Sequence, residues 1–104
     1  MPFNRRRNSL EIIEDILRAS LGGARITEIV YKTNMNFKRT KRYLEFLLEN
    51  GLISAQTPTS NVKVYKTTEE GKGFLETFPD LKRLLGSLHT TKIRSELKKI
   101  AYQR

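Results

Sequence analysis

A change of hydrophobic period near Gly51 constrains the fold of this chain more than any other feature. Before it, apolar residues recur at three- and four-residue steps, the spacing of amphipathic helices. After it, residues 52–56 and 62–67 are rich in β-branched and aromatic side chains, as strands are. Residues 57–61, Thr-Pro-Thr-Ser-Asn, form a turn-rich loop between them. The sequence therefore predicts several helices followed by one two-stranded hairpin.

Two helices are predicted before the first tight turn. The first begins at Ser9, a good N-cap residue, and stops at the pair Gly22-Gly23. The second is short and covers residues 24–33, with its apolar residues on one face. Residues 1–8 precede both and are predicted to be a flexible basic arm.

A third helix is predicted over residues 37–49. Before it, Asn34 suits a left-handed turn and Asn36 suits an N-cap. Gly51 is expected just after its end, where glycine commonly terminates helices. Its predicted buried stripe follows three- and four-residue steps and consists of Phe37, Thr40, Leu44, Leu47 and Leu48.

A fourth helix is predicted after the hairpin, with Thr68 as its cap. Pro79 should either kink it or end it, so that a new helix starts at Asp80. A helix over residues 81–103 extends about 35 Å, so its far end cannot reach the same domain. A second chain is the simplest cover for its apolar residues, which predicts a homodimer. The predicted dimer-interface residues are Leu81, Leu84, Leu85, Leu88, Ile93, Leu97 and Ile100.

The 104-residue chain carries a net charge of +9, which attracts polyanions. Two short helices joined by a tight turn form a helix-turn-helix, and a hairpin directly after them makes it winged. The predicted fold is mainly α with a small β-hairpin: a winged helix-turn-helix domain over residues 9–78 and a C-terminal dimerisation helix over residues 79–104. The second helix of such a pair enters the major groove of DNA.

The candidate DNA-binding residues follow from this geometry. If the apolar stripe of the third helix faces inward, the basic residues of its first two turns face outward. Arg39 and Arg42 are predicted to contact bases, because guanidinium can bond guanine bidentately. The remaining candidates are Lys38 and Lys41 for phosphate, Asn36 as a cap or a polar contact, Lys63 and Lys66 on the wing, and Arg5, Arg6 and Arg7 for the minor groove.

Other classes of function have little support in the sequence. The chain has no cysteine, and its single histidine, His89, lacks companions at metal-ligand spacing, so no metal, cofactor or disulfide is expected. No phosphate-binding glycine loop or nucleophile–histidine arrangement indicates an enzyme, and no small-molecule site is evident. No apolar run is long enough to span a membrane. A cytoplasmic, nucleoid-associated protein is expected.

Several short motifs carry a family resemblance over residues 8–78. They are Ser9-Leu10-Glu11-Ile12-Ile13, Arg25-Ile26-Thr27, Tyr31-Lys32-Thr33-Asn34-Met35-Asn36-Phe37, Tyr43-Leu44, Gly51-Leu52-Ile53, Val64-Tyr65 and Thr67-Thr68-Glu69-Glu70-Gly71. With them the chain resembles the archaeal winged-helix proteins of the small ten-kilodalton chromatin-associated class. The resemblance implies an archaeal or archaeal-virus source and an antiparallel coiled coil between C-terminal helices. Pro79, Gly86 and a long wing loop depart from that pattern.

The leading functional hypothesis is a dimeric double-stranded DNA-binding protein, either a transcription regulator or a nucleoid architectural protein. The alternative is a winged-helix interaction module of a larger complex without direct DNA contact, since folds of this kind serve both purposes. The basic front of the third helix favours DNA. RNA binding ranks lower, because only Tyr65 could offer an aromatic stacking surface on a strand.

Overall fold

The computed structural model describes residues 7–87, with side chains described up to Leu81 and at Arg83 and Leu84. Its elements are the helices α1 (Ser9–Ala19), α2 (Ile26–Thr33) and α3 (Phe37–Glu49), the strands β1 (Ile53–Gln56) and β2 (Val64–Thr67), and the helix α4 (Glu69–Ser87). The two strands pair antiparallel, with Ile53 opposite Thr67 and Gln56 opposite Val64. The predicted fold class, mainly α with a small hairpin, is confirmed.

The N-cap of α1 lies one residue earlier than the sequence predicts. The N-cap is Asn8, whose side chain accepts a hydrogen bond from the Glu11 N–H at 2.8 Å. The Glu11 carboxylate accepts one from the Asn8 N–H at 3.2 Å in return, which completes a capping box. Ser9 is therefore the first helical residue and not the cap. Asn and Ser cap about equally well, so only the reciprocal bond with Glu11 decides between them.

Arg7, within the predicted flexible arm of residues 1–8, contacts both α1 and the end of α2. One of its guanidinium nitrogens pairs with Asp15 on α1. The other donates to the carbonyl oxygen of Thr33, the last residue of α2, at 2.6 Å. Together with the capping role of Asn8, this places the last two residues of the predicted arm in contact with the helices. Arg5 and Arg6 lie outside the described residues.

The core lies where α1, α2, α3, the hairpin and α4 converge. Its most deeply buried apolar side chains have at most 2% of their surface exposed: Ile12, Ile16, Leu17, Ile29, Leu44, Leu47, Ile53 and Phe78. Each comes from the apolar stripe of its helix or from the inward side of its strand. The hydrophobic period of the sequence therefore sets which face of every element is turned inward.

The hairpin is held by the connection between α1 and α2. The sequence predicts Ala24 as the start of α2, but Ala24 pairs with Tyr65 as an isolated bridge, through bonds of 2.9 and 2.8 Å. Thr67 adds a backbone bond to Ser20 at 3.0 Å and a hydroxyl bond to the Leu17 carbonyl at 2.7 Å. A two-stranded hairpin alone is marginal in water, so these bonds give it the support that it needs.

The turn between α2 and α3 is built as the sequence predicts. Asn34 adopts a left-handed conformation with φ of 56°. Asn36 caps α3, its side-chain oxygen accepting from the Arg39 N–H at 2.7 Å. Gly51 follows the C-terminal end of α3 at φ of +73°, a conformation that glycine adopts without strain. Asn34 and Asn36 thus set the direction of α3 relative to α2, and Gly51 lies in the turn between α3 and β1.

Helix α4 continues through Pro79, where the sequence predicts a kink or a new start. Thr68 precedes it as predicted, and its hydroxyl oxygen accepts from the Gly71 N–H at 3.1 Å. Pro79 has no N–H to donate to the carbonyl group of Leu75, four residues earlier, yet the helix continues as far as Ser87. Phe78 is buried beside Pro79 and meets Phe74 edge to face, with the ring centroids 5.3 Å apart. The predicted boundary between residues 78 and 79 therefore falls inside one helix.

Gly71 allows α4 to approach the end of α3 closely. A Cβ atom at this position would lie 2.2 Å from the Leu52 carbonyl oxygen and 2.6 Å from Thr67 Cγ2. The same carbonyl oxygen accepts from the Thr68 N–H at 3.0 Å, so it cannot move away without breaking a bond. Position 71 therefore requires glycine for space.

We expect Gly71→Ala to lower the free energy of unfolding by about 1–3 kcal/mol, because the added methyl group overpacks a backbone contact. The matched control is Gly73→Ala on the same helix, where a Cβ atom has nothing within 4 Å. There alanine should raise the free energy of unfolding by about 0.5–1 kcal/mol through its higher helix propensity. Urea denaturation followed by circular dichroism measures both. Equal stability of the two variants would contradict the close approach at Gly71.

Candidate nucleic-acid interface

The inward side of α3 determines which of its residues face solvent. Thr40, Leu44 and Leu47 have at most 1% of their surface exposed and hold the helix on the core. Successive residues turn by about 100° around a helix, so the opposite side is defined by geometry. This outward stripe of α3 consists of Lys38, Arg42, Glu45 and Glu49, all of them exposed.

The outward stripe is divided by charge along its length. Lys38 and Arg42 occupy its first two turns, and Glu45 and Glu49 occupy its last two. The amino-terminal end of a helix also carries the positive end of the backbone dipole. The half of α3 next to the α2–α3 turn is therefore strongly electropositive, whereas the half next to the hairpin is acidic.

Arg39 and Lys41 lie on opposite flanks of this stripe, as their positions around the helix require. The Arg39 guanidinium carbon lies 5.9 Å from the centroid of the Tyr43 ring, within the range of a cation–π contact. The Tyr43 hydroxyl donates to Ser9 Oγ at 3.2 Å. Arg39 is thus on the flank that faces α1. Arg39 and Arg42 both line the space between α1 and α3, but of the two only Arg42 also belongs to the outward stripe.

An open cleft separates the start of α1 from α3. It has a volume of about 430 Å³ and is lined by Ser9, Ile13, Arg39, Arg42, Tyr43 and Phe46. The sequence pattern indicates no concave site, because the cleft depends on the spacing between two helices that are far apart in the chain. Arg42 lines its outer edge as well as the outward stripe, so the cleft adjoins the electropositive half of α3.

Cations outside α3 and the wing are mostly neutralised by nearby carboxylates. Arg18 pairs with the buried Glu14 at 2.9 Å, and Arg25 lies 3.8 Å from Glu28. On α4, the pairs Lys72–Glu69 and Arg83–Asp80 measure 3.2 and 2.9 Å. Among the side chains that the structure describes, no ion pair includes Lys38, Arg39, Lys41, Arg42, Lys63 or Lys66. The positive charge of these candidates is therefore not cancelled by a paired carboxylate among the described side chains.

Two exposed lysines lie on the wing. Lys66 lies on β2 between the buried residues Tyr65 and Thr67, so its side chain is on the outer face of the hairpin. Lys63 is exposed just before β2 begins. In the loop, the Asn61 N–H donates to the Pro58 carbonyl at 2.8 Å, and Asn61 has φ of 65°. The loop is therefore turned back on itself close to Lys63.

Phe37 departs from the position that the hydrophobic period predicts. Its spacing places it in the buried stripe, but 52% of its surface is exposed. The stripe begins only at Thr40, one turn later, because the first residue of α3 projects beyond the edge of the core. Tyr31 on α2 is more exposed still, at 86%. The hydrophobic period of the sequence could not show this exposure. A residue at the end of a helix can follow the spacing of the buried stripe although no other element packs over it.

The predicted dimer-interface residues fall largely outside what the structure describes. On α4, Leu81 is half-buried and Leu84 is 52% exposed. The side chain of Leu85 and the residues Leu88, Ile93, Leu97 and Ile100 lie outside the described part of the chain. Of the predicted dimer interface, the structure therefore describes the side chains of Leu81 and Leu84 only.

Metal-binding and membrane-spanning features are both absent from the described residues. No group of three or more His, Cys, Asp or Glu side chains among them is arranged to hold a metal ion. No helix in the same part of the chain combines the length and the apolar character that crossing a membrane requires.

Comparisons with known proteins agree with this architecture. A family model described as winged helix-turn-helix matches residues 6–86. An uncharacterised protein of Methanocaldococcus jannaschii, MJ0287, is 31% identical over 87 residues, which cover 81% of this chain and 84% of that protein. The crystal structure of Sso10a-2, a DNA-binding protein from Sulfolobus solfataricus, has a TM-score of 0.71 at 29% identity and covers 88% of this chain and 96% of that one.

A more distant neighbour shares the fold alone. MepR, a transcription regulator of the Staphylococcus aureus efflux pump MepA, has a TM-score of 0.57 at 14% identity, with 89% of this chain and 72% of that one covered. The archaeal matches confirm the resemblance to the small archaeal winged-helix class. With four-fifths of its length matched by the family model, the chain belongs to the winged helix-turn-helix family.

Proposed function

We propose that this protein binds double-stranded DNA with the electropositive half of α3 in the major groove and the wing lysines beside it. The observation that carries the proposal is the distribution of unpaired cations. Carboxylates neutralise the described cations of α1 and α4, whereas those of α3 and the wing face solvent without an acidic partner among the described residues. A duplex carries one negative charge per about 1.7 Å of its axis and supplies the missing partners.

The roles of the individual cations follow from their positions on α3. Arg42 lies on the outward stripe and is proposed to contact a base, for which its planar guanidinium is suited. Lys38 and Lys41 are proposed to contact phosphates on either side of the groove. Arg39, on the flank beside Tyr43, is proposed to bind a phosphate or a base at the edge of the interface. Asn36 is proposed to act mainly by capping α3, since its side-chain oxygen is already bonded to Arg39 N–H.

The relatives support the same conclusion. Sso10a-2 is described as a DNA-binding protein and MepR as a transcription regulator. We propose that this chain is likewise a regulator of transcription or an architectural protein of the nucleoid, acting in the cytoplasm. Its fold supports a binding protein without catalytic activity of its own.

We further propose that the protein works as a homodimer through residues 79–104. Helix α4 continues past Pro79 without a break as far as Ser87, which supports a rod that extends from the winged domain. Linking two winged domains raises the local concentration of the second once the first is bound, and so increases affinity for DNA.

Removing two cations from the outward stripe should weaken DNA binding strongly. We expect Lys38→Ala/Arg42→Ala to raise Kd by roughly tenfold or more and to reduce the slope of log Kd against log salt by about one for each phosphate that is no longer neutralised. The fold should be unaffected, because both side chains are exposed. Fluorescence anisotropy with duplexes of several sequences, at two or more salt concentrations, measures these changes.

The matched control for this variant is Lys72→Ala/Arg83→Ala on α4. It also removes one lysine and one arginine, but both are ion-paired and lie on a different helix. Its Kd should stay within about twofold of the wild type, since only long-range attraction is removed and salt screens charges beyond a Debye length of about 10 Å at 0.1 M. Equal weakening in the two variants would mean that net charge, and not the front of α3, determines binding.

The acidic half of the outward stripe should oppose DNA binding. We expect Glu45→Gln/Glu49→Gln to tighten binding a few-fold at low salt, with the gain shrinking as salt rises, because the repulsion of phosphates by exposed carboxylates is screened. The control Glu70→Gln/Glu76→Gln changes two exposed carboxylates on α4. A gain in affinity as large in the control as in the α3 variant would argue against the placement of α3 in the groove.

Sedimentation velocity tests the homodimer directly. At micromolar concentration the 12.1 kDa chain should sediment with twice its monomer mass. We expect Ile93→Glu/Leu97→Glu to shift it to the monomer, because charged side chains are costly in an apolar interface, and to weaken DNA binding. A wild-type chain that sediments as a monomer would contradict this part of the proposal.

A further inference from the structure

We infer that Phe37 reads the C5 methyl group of thymine in the major groove and gives this protein a preference for thymine-containing DNA. The inference rests on the proposed DNA binding and adds a sequence preference to it. It concerns the aromatic side chain at the front of α3, which neither the fold family nor the charge of the helix accounts for.

Phe37 is not part of the hydrophobic core. The core cluster and the partly buried residues packed against it include Tyr43, Leu44, Leu47 and Leu48 from α3, but not Phe37. Half of its surface, 52%, is open to solvent in the described structure. A single exposed apolar residue is common on protein surfaces, so exposure alone decides nothing. Its position is what makes this one informative.

Phe37 lies at the point of α3 that is proposed to enter the groove first. It is the first residue of the helix, and Asn36 holds its backbone there by capping the Arg39 N–H. Lys41 lies one turn further along the same flank, and Lys38 follows Phe37 directly on the outward stripe. Both lysines lie on the side of the ring that leads to the outward stripe, and phosphate binding by the two would bring the start of α3 against the edges of the bases.

Thymine is the DNA base that an apolar side chain can recognise in this groove. Its C5 methyl group projects into the major groove, whereas cytosine presents an amino group and the purines present polar atoms. Phenylalanine has no hydrogen-bonding group with which to contact the polar edges. Among the groups that the base edges present in this groove, the thymine methyl is the apolar one against which the ring can be removed from water.

Uracil substitution tests the inference without altering charge or base pairing. Two duplexes of one mixed sequence are compared, one with thymine and one with uracil at every thymine position. We expect the wild-type chain to bind the thymine duplex about fourfold more tightly, the factor that corresponds to about 0.8 kcal/mol for one buried methyl-sized group. Anisotropy titrations at a single salt concentration measure the ratio.

Substitutions at position 37 test whether the preference for the thymine duplex comes from Phe37. Phe37→Ala should bind both duplexes with equal affinity, whereas Phe37→Leu, which keeps an apolar side chain, should retain most of the preference. The matched control is Tyr31→Ala, which removes an aromatic side chain that is 86% exposed on α2 and should leave the ratio at the wild-type value. Thermal unfolding of each variant verifies that it is folded.

The outcomes separate this inference from the proposed function. Equal wild-type affinity for the two duplexes overturns the role of Phe37 while leaving DNA binding intact. A thymine preference that persists in Phe37→Ala overturns it as well, because the methyl group is then read by another residue. Failure of the wild-type chain to bind either duplex rejects the proposed function itself, and the inference with it.

Discussion

The packing of α3 on the core is the constraint on which the rest of the interface depends. Thr40, Leu44 and Leu47 are buried, and Thr40 is further fixed by its hydroxyl bond to the Asn36 carbonyl at 2.8 Å. Once these residues face inward, the helical repeat leaves no freedom for the side chains between them. The packing of the core therefore determines which cations are exposed to a ligand, although none of those cations is itself part of the core.

Charge is distributed over this scaffold in two ways. Away from α3 and the wing, as at Arg18 beside Glu14 or at Arg7 between α1 and α2, the cation has a carboxylate close to it. Exposed ion pairs of this kind add little stability, but they cancel the field around them. The positive electrostatic field of the cations on α3 and the wing is not cancelled in this way, and such a field attracts polyanions.

Much of this organisation could be predicted from the sequence, because it depends on periodicity and turn chemistry. Asn34, Asn36 and Gly51 each have in the structure the turn or cap role that their residue types predict. The errors occur where a tertiary contact decides. Ala24 joins the hairpin because β2 lies beside it, and Phe37 is exposed because the core ends before it. The cleft beside α1 involves residues distant in the chain, and no local pattern indicates it.

The close approach at Gly71 has a mechanical consequence. Helix α4 starts two residues after β2 ends, and Gly71 touches the carbonyl group just before β1. The base of the hairpin is thus held on one side by α4 and on the other by hydrogen bonds to the α1–α2 connection. A torque applied to α4 would therefore reach the hairpin, and in the proposed homodimer the spacing of the two winged domains would be coupled to the position of their wings.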